Sequence, residues 1–271
     1  MKINIKNNQE IQKMRIAGKI AASVLDMIEP YIKEGVTTNE INNLCHNYIV
    51  NTQKAIPAPL GYFGFPKSIC TSINNVVCHG IPNNKVLKNG DIINIDIAII
   101  KNGYHADTSK MFLIGTTSEK AKNIVQTSYE CLLIGICQVK PNIHLGNIGY
   151  AIQKHAEKYQ YSIVKEYCGH GIGKYFHEQP QVLHYGVPGT KEILKKGMTF
   201  TIEPMINAGK PDTKILKDQW TVVTKDNSLS AQWEHTILVT DNGFEILTLR
   251  KKEKEIIKKY YNTIDKSIDF I

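Results

Sequence analysis

Between Glu10 and Tyr31 the apolar residues Met14, Ala17, Ile20, Ala21, Val24, Leu25 and Ile28 recur at three and four residue spacings. This periodicity predicts a long amphipathic helix, with Glu29-Pro30 near its end. Thr37 followed three residues later by Glu40 is a capping box, and Ile41, Leu44, Tyr48 and Ile49 continue one apolar face of a second helix. From Ala55 to Pro82 the pattern changes to Gly, Pro and β-branched residues, which predicts a loop and then short strands over Ile69 to Ile73 and Val76 to Cys78. Asp91 to Ile100 alternates as a strand does, and Asn102-Gly103 is a hairpin turn leading into Tyr104 to Ile114.

Shifting the chain by 107 residues brings much of this order back. Leu87, Gly90, Ile95 and Asp96 then face Leu194, Gly197, Ile202 and Glu203, so a carboxylate lands on a carboxylate. The same offset lays Val24, Leu25 and Ile32 over Cys131, Leu132 and Val139, and Val36 and Ile41 over Ile143 and Ile148. One offset serving helices and strands together predicts two related αβ halves, about 9–114 and 116–249.

At 271 residues and 42% hydrophobic the chain is long and apolar enough to bury a substantial core, which excludes disorder. Its six cysteines form no CxxC pair and no dense framework, as expected in a reducing cytosol. Neither a secretory leader nor a run of ~18 apolar residues is present, so no membrane association is expected. The net charge of +8 suits an RNA or ribosome surface, but a chain rich in Lys, Asn and Ile throughout gives the same balance by bias alone.

Asp96 lies in the apolar run Asn94-Ile95-Asp96-Ile97, where a carboxylate has a large desolvation cost unless a positive charge balances it. Across the hairpin comes Asp107-Thr108, which two paired strands would bring to the same face. The second half adds Gly169-His170-Gly171, Ile202-Glu203-Pro204 and Trp233-Glu234-His235. Four carboxylates with one imidazole fit a pair of divalent ions better than one, and the oxygen-rich set favours Mn, Fe or Co over a thiolate-type zinc site. The glycines beside His170 would let the backbone approach a ligand closely. His79 and His177 are candidates for substrate polarisation or proton transfer, whereas His46, His105, His144, His155 and His184 are expected to be structural or exposed. Cys70 reads as an apolar lining residue, since no spacing ties it to a base.

Taken in order, Cys78-His79-Gly80-Ile81-Pro82, Gly90 to Asp96, Asp107-Thr108, Gly169 to Gly173, Phe176-His177-Glu178, Thr201-Ile202-Glu203-Pro204 and Gln232 to Thr236 resemble the type I methionine aminopeptidases of the bacterial kind, from about residue 3 to Arg250. The resemblance implies an α+β pita-bread fold (creatinase/aminopeptidase), with two halves related by a pseudo-twofold axis around a dinuclear metal site. It implies that Asp96 chelates one metal, that His170 and Glu203 bind the other, and that Asp107 and Glu234 bridge both. His79 and His177 would contact substrate, and Tyr62, Phe65, Cys70, Phe176 and Trp220 would line a methionine pocket. Pro59, Asn83 and Gln219 depart from residues common in the family, namely Cys, Asp and Gly.

On this resemblance, metal-activated water attacks the first peptide bond, with Glu203 as acid and base. N-terminal methionine is then removed from nascent proteins whose second residue is small. Two divalent ions, drawn from Co, Mn, Fe or Zn, are the implied cofactors. The expected setting is a cytoplasmic monomer working near the ribosome, with one catalytic domain over 1–250 and a basic tail over 251–271. Ile257, Tyr261, Ile264 and Ile268 predict a short amphipathic helix in that tail. Prolidase and aminopeptidase P share the fold and ligand types but resemble a catalytic half behind a sizeable extra domain, whereas 78 residues precede His79 here. A noncatalytic pita-bread protein would bind RNA or ribosomes and would lack ligands.

Overall fold

The computed structural model describes residues 3–264. Its first half opens with α1 (Asn8–Ile28), started by a capping box in which Asn7 and Glu10 exchange side-chain and backbone hydrogen bonds. Pro30 falls in the 3-10 turn Glu29–Tyr31 that ends it. The helix α2 (Thr38–Asn47) starts at the expected Thr37 and Glu40 capping box. Strands β1 (Ile56–Pro57), β2 (Cys70–Ile73), β3 (Val76–Cys78), β4 (Ile92–Lys101) and β5 (Tyr104–Leu113) follow. Strand β4 pairs with β1, β2 and β5, all antiparallel. Asn102 and Gly103 both have positive φ, 53° and 77°, as a type I′ hairpin turn requires.

The second half repeats the plan with α3 (Glu119–Cys137), α4 (Leu145–Lys158), β6 (Ser162–Ile163), β7 (Gly169–Gly171), β8 (Glu178–Val182), β9 (Thr199–Ile202) and β10 (Met205–Asn207). Helix α4 starts at Leu145 where α2 starts at Thr38, and β9 starts at Thr199 where β4 starts at Ile92, so the 107-residue offset holds for both kinds of element. Then come β11 (Thr213–Ile215), β12 (Val222–Thr224), β13 (Ser230–Gln232), β14 (His235–Val239), β15 (Phe244–Ile246) and α5 (Glu253–Ile264). A five-stranded sheet runs in the order β15-β14-β9-β7-β8.

Each half has its own core. Ala17, Val24, Leu25, Ile41, Ile95 and Ile97 pack helices on sheet in the first, and Ile124, Leu132, Ile136, Ile148, Phe200 and Ile202 do so in the second. At 25 cal/mol per Å², burying such side chains contributes about 1.5 to 3 kcal/mol each. The halves join where β5 meets the start of β14. Ser109 and Glu234 exchange backbone hydrogen bonds there, and Thr108 Oγ1 donates to the Glu234 carbonyl at 2.8 Å. Thr236 Oγ1 accepts from the Asp107 N–H at 3.0 Å and donates to the Asp107 carbonyl at 2.7 Å. This architecture is the expected α+β pita-bread fold. Among the described residues no helix is long and apolar enough to cross a membrane.

Candidate metal centre

Strand register decides which acids meet. Ala98 lies opposite Asp107 in the β4 and β5 hairpin, and Asp96 is two residues from Ala98, so both carboxylates project from one face. They lie near enough for each to shift the titration of the other. The seam at Ser109 brings Glu234 alongside them, and β7 and β9 deliver His170 and Glu203 from the other half.

One ligand atom from each of Asp107, His170 and Glu234 lies within 4.8 Å of the others. His170 Nε2 is 3.9 Å from Asp107 Oδ2 and 3.7 Å from Glu203 Oε1. These gaps are too long for hydrogen bonds and suit donor atoms that share an ion with bonds of ~2.1 Å. The Nδ1 of His170 donates to the Gly171 carbonyl at 2.9 Å, which leaves Nε2 with a free lone pair toward the acids.

The electrostatics favour neutralisation of the acids, by protons or by a cation. Burial, with repulsion from neighbouring carboxylates, raises Asp107 and Glu234 well above the usual carboxylate range. Burial pushes Asp96 up to about 6 and Glu203 up to about 8. Burial lowers the His170 imidazole to about 3, so it is neutral and able to ligate. Asp107 Oδ1 and Glu234 Oε1 are buried with no hydrogen-bond partner among the described residues. Divalent ions would satisfy these oxygens and neutralise the acids, so the donor set fits the metal centre that the sequence implied.

The carboxylates lie in a cavity of about 500 Å³, whose lining includes all twelve of the residues singled out from the sequence. Phe65 and Trp220 meet edge to face at 5.1 Å between ring centroids, and Tyr62 and Phe176 do so at 5.0 Å. Tyr62 Oη lies 2.7 Å from His177 Nδ1. His79 has a φ of 56°, a left-handed conformation that is strained for a non-glycine residue and fixes its ring against Tyr167 and Trp220. Burial lowers its imidazole to about 4. Pro59 also lines the cavity. Gln219 has a φ of 66°, which glycine adopts at lower cost.

The structure sharpens two sequence readings here. The glycines beside His170 serve strand packing rather than ligand approach, because a Cβ on Gly169 would lie 2.3 Å from the Thr201 carbonyl oxygen and one on Gly171 2.1 Å from that of Gln179. His184, expected to be structural or exposed, is buried, and its structural role is specific: its Nε2 accepts the Glu203 N–H over 3.1 Å and so fixes the backbone of a candidate ligand. Sequence reasoning quoted Thr201 and Gln232 within motifs but gave neither a role. The Thr201 hydroxyl accepts from the His170 N–H and donates to Glu203 Oε1 at 2.7 Å, while Gln232 Nε2 donates to Glu203 Oε2 at 3.2 Å. The period-two position of Thr201 before Glu203 was the available signal for the first; the contact of Gln232 with Glu203, 29 positions away, had no local signal.

Comparison with known proteins supplies the family. The model of metallopeptidase family M24 matches residues 12–241. The chain belongs to metallopeptidase family M24. Within this family it is 58% identical over 254 residues to methionine aminopeptidase of Escherichia coli strain K12, covering 93% of this chain and 96% of that one. The crystal structure of methionine aminopeptidase from Rickettsia prowazekii superposes with a TM-score of 0.90 at 57% identity, covering 92% of this chain and 100% of that one. A prolidase from Pyrococcus furiosus shares the fold at a TM-score of 0.70 and 24% identity, and the match covers 91% of this chain but 66% of the prolidase.

Proposed function

We infer that this metallopeptidase is a methionine aminopeptidase, which hydrolyses the first peptide bond of a polypeptide to release N-terminal methionine when the second residue is small. The observation that carries the reading is the convergence of Asp96, Asp107, His170, Glu203 and Glu234 at a cavity walled by Tyr62, Phe65, Phe176 and Trp220. Likeness to proteins of that name across nearly the whole chain supports it.

In this reading Asp96, Asp107, His170, Glu203 and Glu234 would together hold two divalent ions, with Asp96 serving one, His170 and Glu203 the other, and Asp107 and Glu234 both. Two ions match four acids in charge, and Mn, Fe, Co and Zn all suit the donor set. When bound, the ions supply Lewis acidity and lower the pKa of water. Glu203 takes the proton of the attacking water on a carboxylate oxygen and returns it to the leaving amine. Thr201 and Gln232 hold that carboxylate in a fixed plane.

Against a neutral imidazole a phenol is the better donor, so Tyr62 donates to Nδ1 of His177 and the ring carries its proton on Nε2. His177 then stabilises the carbonyl oxygen as charge develops, and His79 hydrogen-bonds near the scissile nitrogen. The aromatic slot with Cys70 takes the unbranched thioether side chain. The remainder of the reading is a monomer acting in the cytoplasm on nascent chains near the ribosome. Buried free thiols at Cys45, Cys70, Cys78 and Cys131 support the reducing compartment in that setting.

The test is to strip the purified protein of metal and assay it on Met-Ala-Ser with Mn, Fe, Co and Zn added singly. Hydrolysis that is absent after stripping and returns with metal supports the reading. A protein that binds no divalent ion and cleaves nothing would instead be a binding module built on the same fold.

A further inference from the structure

Behind the seam that carries Asp107 and Glu234 lies a buried ion pair that the metal chemistry does not use. Arg250 and Glu253, 4% and 5% exposed, join through Nη2 and Oε1 just after β15. Side chains alternate along a strand, so the neighbours of Asp107 and Glu234 point to the face away from the carboxylates. The ion pair grips those neighbours. Arg250 Nη1 donates to Thr108 Oγ1 at 3.3 Å and to the Ser109 carbonyl at 3.4 Å, and its guanidinium lies over the Trp233 ring at 5.6 Å. Glu253 Oε2 is 3.2 Å from His235 Nε2, and Tyr129 Oη donates to Glu253 Oε1 at 2.9 Å.

The chain of contacts continues to the other ligand strand. His235 Nδ1 meets Thr248 Oγ1 at 2.9 Å, Thr248 Oγ1 accepts from the Thr236 N–H at 3.1 Å, and Thr236 Oγ1 bonds both the N–H and the carbonyl of Asp107. Thus Trp233 and His235 are held on either side of Glu234, and Thr108 and Ser109 are held immediately after Asp107. One rigid, bidentate cation and one carboxylate fix strands contributed by different halves of the molecule.

We propose that Arg250 and Glu253 are positioning residues that set the spacing of the carboxylates of Asp107 and Glu234 and so tune the affinity of the site for divalent metal. This rests on the reading of Asp107 and Glu234 as metal ligands. Groups that orient metal ligands from behind typically change metal affinity by ~10 to 100-fold when removed. Arg250 and Glu253 lie beyond residue 241, where the match to the family model ends.

The test is Mn²⁺ titration by calorimetry on the full-length protein, with thermal unfolding measured in parallel. Glu253→Gln leaves Arg250 buried without its counter-charge and is expected to lower both Tm and Mn²⁺ affinity. The double variant Arg250→Met with Glu253→Met removes both charges and is expected to recover part of the Tm, since losing a whole buried pair is better tolerated than breaking one. Its Kd for Mn²⁺ is nevertheless expected to stay weakened by ~10 to 100-fold. A double variant that binds Mn²⁺ with the wild-type Kd would overturn the proposal, as would failure of both variants to fold, which would make the pair a requirement of the fold instead. Asp107→Asn separates the two readings. If it binds Mn²⁺ like wild type, the ligand assignment itself falls; if it loses binding while the double variant keeps it, only the positioning role falls.

Discussion

In the proposed reading two roles meet on Glu203, ligand and proton carrier. Glu203→Gln keeps an oxygen donor but cannot take a proton, so turnover on Met-Ala-Ser at matched metal loading is expected to fall by ~10² to 10⁴. A near-normal rate would remove Glu203 from acid and base work. At this scale the sequence was informative wherever the signal was local. Asp96 stands out because Ile95 and Ile97 flank it, and Glu203 because the repeat aligns it with Asp96. Gln232, His184 and Arg250 were not legible in the same way. Each acts on a partner 19 to 142 positions away, and only the folded register brings the pairs together.

At the scale of elements, strand packing sets what the site tolerates. Gly171→Ala would drive a Cβ to 2.1 Å from the Gln179 carbonyl oxygen, forcing β7 and β8 apart beside His170. Overpacking of this kind costs about 1 to 3 kcal/mol, which a lowered urea midpoint would register. The tail belongs to the same argument. Ile257 is fully buried against the second core and Glu253 is buried against Arg250 and His235, while Ile268 of the expected helix lies outside the described residues. Deleting 251–271 is therefore expected to lower Tm by at least several degrees, because a buried Ile contributes about 1.5 to 3 kcal/mol and the deletion also strands Arg250. An unchanged melting curve would mean that these contacts contribute nothing. The long helices and the hairpin were readable from periodicity and from Asn102-Gly103. Strands of two or three residues such as β6 and β13 carry too few positions to show a period, and their pairing depends on partners far along the chain.

For the whole molecule, gathering four acids between the halves links stability to metal and pH. Their carboxyls titrate at ~3.9 to 4.3 in an unfolded chain, but Asp96 is raised to about 6 and Glu203 to about 8, with Asp107 and Glu234 also raised. Through the raised acids the folded metal-free protein binds more protons than the unfolded chain, which makes stability fall as pH rises. Below about pH 7 buried histidines such as His79, His170, His177 and His184, whose imidazoles are lowered by burial, oppose this effect because the unfolded chain protonates them first. Above it they are neutral in both states, the raised acids alone decide the sign, and stability must fall as pH rises. Metal-free protein is thus expected to lose Tm from about pH 7 to pH 9, and saturating Mn²⁺ is expected to remove most of that loss. A metal-free Tm that rises over the same range would contradict the electrostatic account.

The claim that unites the scales is that the site selects an N-terminal methionine followed by a small residue. A bulky second side chain would displace the scissile carbonyl from the metals and from His79 and His177, and a misplacement of about 1 Å can cost ~10² in rate. The most direct measurement is kcat/KM, with the same metal loading, for Met-Ala-Ser, Met-Lys-Ser and an Xaa-Pro peptide lacking methionine. The account predicts efficient cleavage of Met-Ala-Ser, a kcat/KM for Met-Lys-Ser lower by at least ~10², and no cleavage of the Xaa-Pro peptide. Comparable values for Met-Ala-Ser and Met-Lys-Ser, or a preference for the Xaa-Pro peptide, would contradict it.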